Sequence, residues 1–158
     1  MKLTHLDDRG RARMVDVGSK PESERTAEAE GVVRMTREAF DLVAGQAVAK
    51  GDVLAVAEVA GTMGAKRVGD LIPLCHPVVL DLVRVEARLE PELPGVRVTA
   101  VAKATGRTGV EMEALTAVAV ACLTVYDMVK AADRGMTIEE VRLVSKSGGT
   151  RGDWRRSE

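Results

Sequence analysis

The chain has 158 residues, a size that fits one domain burying roughly two thirds of the surface its unfolded form exposes. Its 23 Lys and Arg against 24 Asp and Glu leave a net charge of -1, without the basic excess of a general nucleic-acid binder. Only Phe40, Tyr126 and Trp154 are aromatic within a 46% hydrophobic total, which excludes base-stacking platforms and leaves Val, Ala, Leu and Met to build the core.

Cys75 and Cys122 lie far apart without a CxxC pair and read as reduced thiols. Residues 1–10 are polar rather than an apolar signal core, and no run reads as the roughly 18 apolar residues of a membrane span. A cytoplasmic location with no membrane and no nucleic-acid partner is therefore expected.

Residues 1–20 mix charges, Gly10 and Gly18, and read as a mobile arm with one short alternating strand at residues 13–17. Residues 25–35 form a strand candidate carried by Val32 and Val33. Thr36 is an N-cap for a short helix through Val43, stopped near Gly45. Asp52 caps a second helix to about Arg67, in which Val53, Val56, Ala57, Ala60 and Met63 recur at helical spacing and mark a buried face, while Gly61 and Gly64 weaken the later turns. Residues 78–89 and 96–104 read as two long strands joined by a turn at residues 91–95. Residues 111–134 carry neither Gly nor Pro and predict the longest helix, stopped by Gly135. A last strand at residues 138–145 precedes a flexible tail over residues 148–158. The order strand, helices, strand, strand, helix, strand predicts an α+β fold of the split βαβ type: a single catalytic domain with one antiparallel sheet and helices on one face.

Asp127 and Lys130 stand at i and i+3 near the end of the long helix. Such a pair is either a surface ion pair or, in the apolar turn made by Tyr126, Met128 and Val129, a base and an acid tuned for proton transfer. Thr105-Gly106-Arg107-Thr108-Gly109 opens that helix with glycines, as at an anion site, yet it lacks the ending of a P-loop. Glu111 and Glu113 just behind it oppose an anion; they either complement the helix dipole or accept from the N–H donors of a guanine-like base. Leu71-Ile72-Pro73-Leu74-Cys75-His76-Pro77 holds His76 stiffly between two prolines, in a structural or a ligand-binding role. Lys20, Arg25, Lys50, Lys66, Arg67 and Lys146 are solvated charges or, if gathered around one pocket, neutralisers of a polyphosphate.

Together the segments LIPLCHP, TGRTGVEMEALTAV, YDMVKA and KSGG, with THLDD and MVDVGSK near the start, resemble the cyclic pyranopterin monophosphate synthase family of molybdenum cofactor biosynthesis over nearly the whole chain. The resemblance implies a ferredoxin-like fold and a homohexamer of three dimers, each active site lying at a subunit interface. It implies a lyase acting on a small nucleotide-derived substrate, the cyclised dihydro-GTP product of a preceding radical enzyme, and releasing pyrophosphate. By the same resemblance Asp127, Lys130, Lys50 and Lys146 are catalytic, and Leu74, Cys75, His76, Glu111, Met112, Glu113 and Arg25 contact substrate. No redox cofactor and no protein metal site is expected, Mg²⁺ entering only as a companion of the triphosphate.

Overall fold

A computed structural model describes residues 6–157. The first residues of the N-terminal arm, including part of THLDD, lie outside the described residues.

The chain runs β1 (Ser23–Arg34), α1 (Arg37–Ala44), α2 (Val53–Ala65), α3 (Val68–Leu71), β2 (Leu82–Glu90), β3 (Gly95–Gly106), α4 (Glu111–Val129), β4 (Thr137–Ser147) and β5 (Trp154–Arg155). The sheet is antiparallel throughout, in the order β2-β3-β1-β4-β5. Its first four strands have the β4-β1-β3-β2 arrangement of a ferredoxin-like α+β fold. Along β1, Ala27, Ala29 and Val33 are buried toward the helices, whereas Glu28 and Glu30 stand between them on the other face. There Glu30 pairs with Arg142 at 2.7 Å and Arg97 with Glu90 at 2.7 Å, so a charged layer covers the sheet face that has no helix.

Capping chemistry starts the first two helices as their sequence requires. The Thr36 hydroxyl accepts from Ala39 N at 3.3 Å, and the Asp52 carboxylate from Ala55 N at 3.1 Å. The ends differ from expectation. α2 stops at Ala65, and the single turn of α3 follows. Val53, Ala57, Gly61 and Gly64 face inward, while Val56 and Met63, expected in the buried stripe, are 43% and 55% exposed. The helix is apolar on both sides, so periodicity alone misassigned its face. Gly61 and Gly64 are required by contact: a Cβ on Gly61 would lie 2.8 Å from Ala117 O, and one on Gly64 2.8 Å from Val120 Cγ2. They let α2 lie directly on α4.

α4 ends at Val129 rather than Arg134. Beyond it, Tyr126 Oη donates to Arg134 O at 3.0 Å, and the Asp133 carboxylate accepts from Thr36 N at 2.8 Å and Gly135 N at 2.7 Å. These tertiary bonds tie the segment down as a turn and outweigh its helix propensity. By length and composition α4 is apolar enough to cross a membrane, contrary to expectation, yet half of it is buried inside the fold, where it serves as the core helix. Residues 13–17 form no strand; the arm instead makes a bridge between Leu6 and Ala12. β2 starts at Leu82, after the proline-bounded loop, and β1 at Ser23. Within the tail expected to be flexible, Trp154 and Arg155 return to pair with Lys146 and Ser145 of β4.

Candidate active site

β1 begins where β3 and β4 end: Ser23 pairs with Gly106, and Thr26 with Ser147. The N-terminus of α4 and the proline-bounded loop close on the same corner. Between them lies a pocket of about 290 Å³. Its lining includes Arg25, Leu74, Cys75, His76, Glu111, Met112, Glu113 and Lys146, so eight of the eleven residues singled out in the sequence meet there.

The pocket lining combines carboxyls and cations. Glu113, on the first turn of α4, is 4% exposed. Burial pushes its carboxyl above the ordinary range, its own backbone N–H draws it back down, and the neighbouring Glu111 raises it further. Burial also raises the Cys75 thiol, followed by the charges of Glu113 and Glu111. Cys75 is thereby kept as a neutral thiol, unlike an activated nucleophile. The cations include Lys146, whose Nζ is 3.6 Å from Glu111 Oε1, and Arg25, whose Nε donates to Gly106 O at 3.3 Å. His76 joins them from the loop, where Pro73 and Pro77 stiffen the backbone.

Lys20, Arg107 and Arg151 also line the pocket but were not assigned to the site from sequence. Arg107 lay in the glycine loop already noted. Lys20 was one of several basic residues without a reason to choose among them, and Arg151 sat in a segment expected to be a loose tail. Val15 and Val17 of the arm also line the pocket, so the alternating run there contributes a wall although it forms no strand.

The other three candidates gather elsewhere. Asp127 Oδ2 accepts from Lys50 Nζ at 2.7 Å and Oδ1 from Lys130 Nζ at 2.6 Å, while Lys50 Nζ also donates to Asp127 O at 2.8 Å. The hydrogen bonds from Lys130 and then Lys50, with their charges behind them, hold the Asp127 carboxyl down to about 2. The cluster is roughly half exposed, with side-chain accessibility of 55% for Asp127. Glu111 and Asp127 lie about 24 Å apart along α4, at roughly 1.5 Å per residue. Among the described residues, no group of three or more His, Cys, Asp or Glu side chains is gathered to hold a metal ion.

Fold and pocket define an α+β protein with a ferredoxin-like sheet and a charged small-molecule pocket at the strand ends. The model of the MoaC family matches residues 14–149, and the chain belongs to that family. It is 59% identical over 153 residues to proteins named cyclic pyranopterin monophosphate synthase from Brucella ovis, Brucella melitensis and Brucella abortus, covering 97% of this chain and 93% of each relative.

Proposed function

We propose that the chain is a lyase of molybdenum cofactor biosynthesis that converts (8S)-3',8-cyclo-7,8-dihydroguanosine 5'-triphosphate to cyclic pyranopterin monophosphate and pyrophosphate. Family membership and the Brucella relatives support the activity. The observation that carries the chemical reading is that one pocket gathers Glu111 and the buried Glu113 with the cations Arg25, His76 and Lys146.

Glu111 and Glu113 are placed to accept from the amino and ring N–H groups of a guanine-derived base. Arg25, His76 and Lys146 neutralise the phosphates. Closing the cyclic phosphate forms one bond from a substrate hydroxyl oxygen to the α-phosphorus and breaks the bond from that phosphorus to the bridging oxygen. The hydroxyl proton must be removed, and pyrophosphate leaves with the bridging oxygen. Lys146, Arg25 and His76 offset the charge that builds on that leaving group. Asp127 and Lys130 take the proton-transfer role that the family resemblance implies; in the free chain the carboxylate, held ionised by Lys130 and Lys50, orients the two ammonium groups as acids toward substrate. No electron is gained or lost in this conversion, so it needs no redox cofactor. Mg²⁺, if bound, would accompany the triphosphate.

One compact ligand cannot span the two clusters of one copy. The separation favours a pocket completed by Asp127, Lys130 and Lys50 of another copy, and the family resemblance implies that the copies assemble as a homohexamer of three dimers. The cytoplasm is the proposed compartment, consistent with the free thiols Cys75 and Cys122 and with a GTP-derived substrate.

Incubation of purified protein with the cyclised intermediate, followed by measurement of released pyrophosphate, tests the activity. Binding without release would make the chain a nucleotide-sensing module instead. Lys146→Ala and Asp127→Asn, each inactive alone, should regain part of the activity when mixed subunits are reassembled together. Absence of complementation, with mixed assemblies demonstrated, would exclude a shared site.

A further inference from the structure

The segment after β4 is built as a clasp over the pocket. Gly148 and Gly149 have φ of +88° and +80°, in the region that favours glycine. A Cβ on Gly149 would collide with the Arg25 guanidinium, and one on Gly148 with Glu24 O, so the turn is wrapped around Arg25. Gly148 N donates to Asp153 Oδ1 at 3.0 Å. Trp154 and Arg155 then pair with β4, and Arg156 N donates to Val144 O at 2.8 Å. The Arg156 guanidinium also stacks over the Trp154 ring, 5.7 Å from its centroid. These bonds close a loop whose exposed crest carries Thr150 and Arg151 into the pocket lining.

The basic groups of that wall fall into paired and unpaired ones. Lys146 is shared with Glu111, and Arg107 stands 3.9 Å from Glu22. Arg151, like Lys20, Arg25 and His76 around the same cavity, has no carboxylate within ion-pair distance among the described residues, and its fork sits at the crest of the clasp. A guanidinium left unpaired there has its fork of donors available for phosphoryl oxygens.

We propose that the C-terminal clasp is a polyphosphate-binding wall of the active site, with Arg151 contacting the phosphoryl groups and Trp154 acting as the positioning residue that keeps the clasp closed. The identification of the ligand as a triphosphate rests on the synthase reading; the wall itself requires only a polyphosphate.

Inorganic pyrophosphate is the probe, titrated into the full-length protein by calorimetry at two salt concentrations. Arg151→Ala should weaken binding about tenfold and reduce its salt dependence, and Arg151→Lys should recover part of the loss. Trp154→Ala should weaken pyrophosphate binding several-fold, and Trp154→Phe, which keeps the stacking ring, should restore it. Arg88→Ala, a change to an exposed β2 residue paired with Glu86, serves as the charge control and should match wild type. Arg151→Ala binding within twofold of wild type, an equal loss in Arg88→Ala, or no pyrophosphate affinity in the wild type would each overturn the proposal. A wild-type protein that binds pyrophosphate through Arg151 yet releases none from the cyclised intermediate would sink the synthase reading and leave the wall standing. Normal release with an indifferent Arg151 would do the reverse.

Discussion

The two ends of α4 present opposite electrostatic designs. At its start Glu113 is buried beside Glu111, and desolvation raises its pKa above the ordinary carboxyl value. At its end Asp127 is exposed between two lysines and held firmly ionised. The same side-chain chemistry thus meets opposite electrostatic environments, set by burial and neighbours, on one helix and without a metal ligand set among the described residues.

The comparison breaks most visibly in turnover. Asp127→Asn or Lys130→Ala should lower pyrophosphate release by about 10²- to 10⁴-fold while changing the unfolding midpoint little, since both side chains are exposed. Near-normal turnover would reduce the cluster to a surface ion pair. Lys146→Ala at the opposite end should raise KM about tenfold as well as slow the reaction, because it loses ground-state contact with phosphate.

A stability experiment reaches both ends together. Gly61→Ala pushes a methyl against Ala117 O and should destabilise the fold by about 1–3 kcal/mol in chemical denaturation, through the α2–α4 contact. An unchanged midpoint would show that α4 can shift without cost.

The smallest effects lie in pH dependence, and their signs are opposite. Glu113 has a raised folded pKa, so its contribution is full below the ordinary 4.5 and is lost as pH rises through the folded value. Glu113→Gln should therefore gain stability over wild type as pH climbs above that range. Asp127 is depressed from 3.8 to about 2, so its contribution is present above 3.8 and is lost as pH falls toward about 2. Asp127→Asn should flatten that acid limb in thermal melts. Parallel slopes in the two variants would contradict the opposite electrostatic environments.

Much of this was legible in the residues themselves. Thr36 and Asp52 announce helix starts because a cap is a local hydrogen bond between a side chain and the backbone three residues on. The α+β order and the long helix followed from hydropathy patterning. The pocket set was legible as motifs, and eight of those residues line one cavity. Helix ends were not, because α4 stops where Tyr126 and Asp133 bond to distant backbone groups. The inward face of α2 was not either, since a helix apolar all round carries no preferred side in its own periodicity.

The sequence by itself determined the four long strands and the three longer helices, their order, the family and the chemical inventory, since propensity, capping and hydropathy act over a few residues. Only the tertiary structure decided that Gly61 and Gly64 are contact surfaces, that Gly148, Thr150 and Arg151 line the pocket before Trp154 and Arg155 pair back with β4, and that Lys50 reaches Asp127. Those are distances between chain segments far apart in sequence, set by how closely Ala- and Gly-lined elements pack, and no local pattern encodes them.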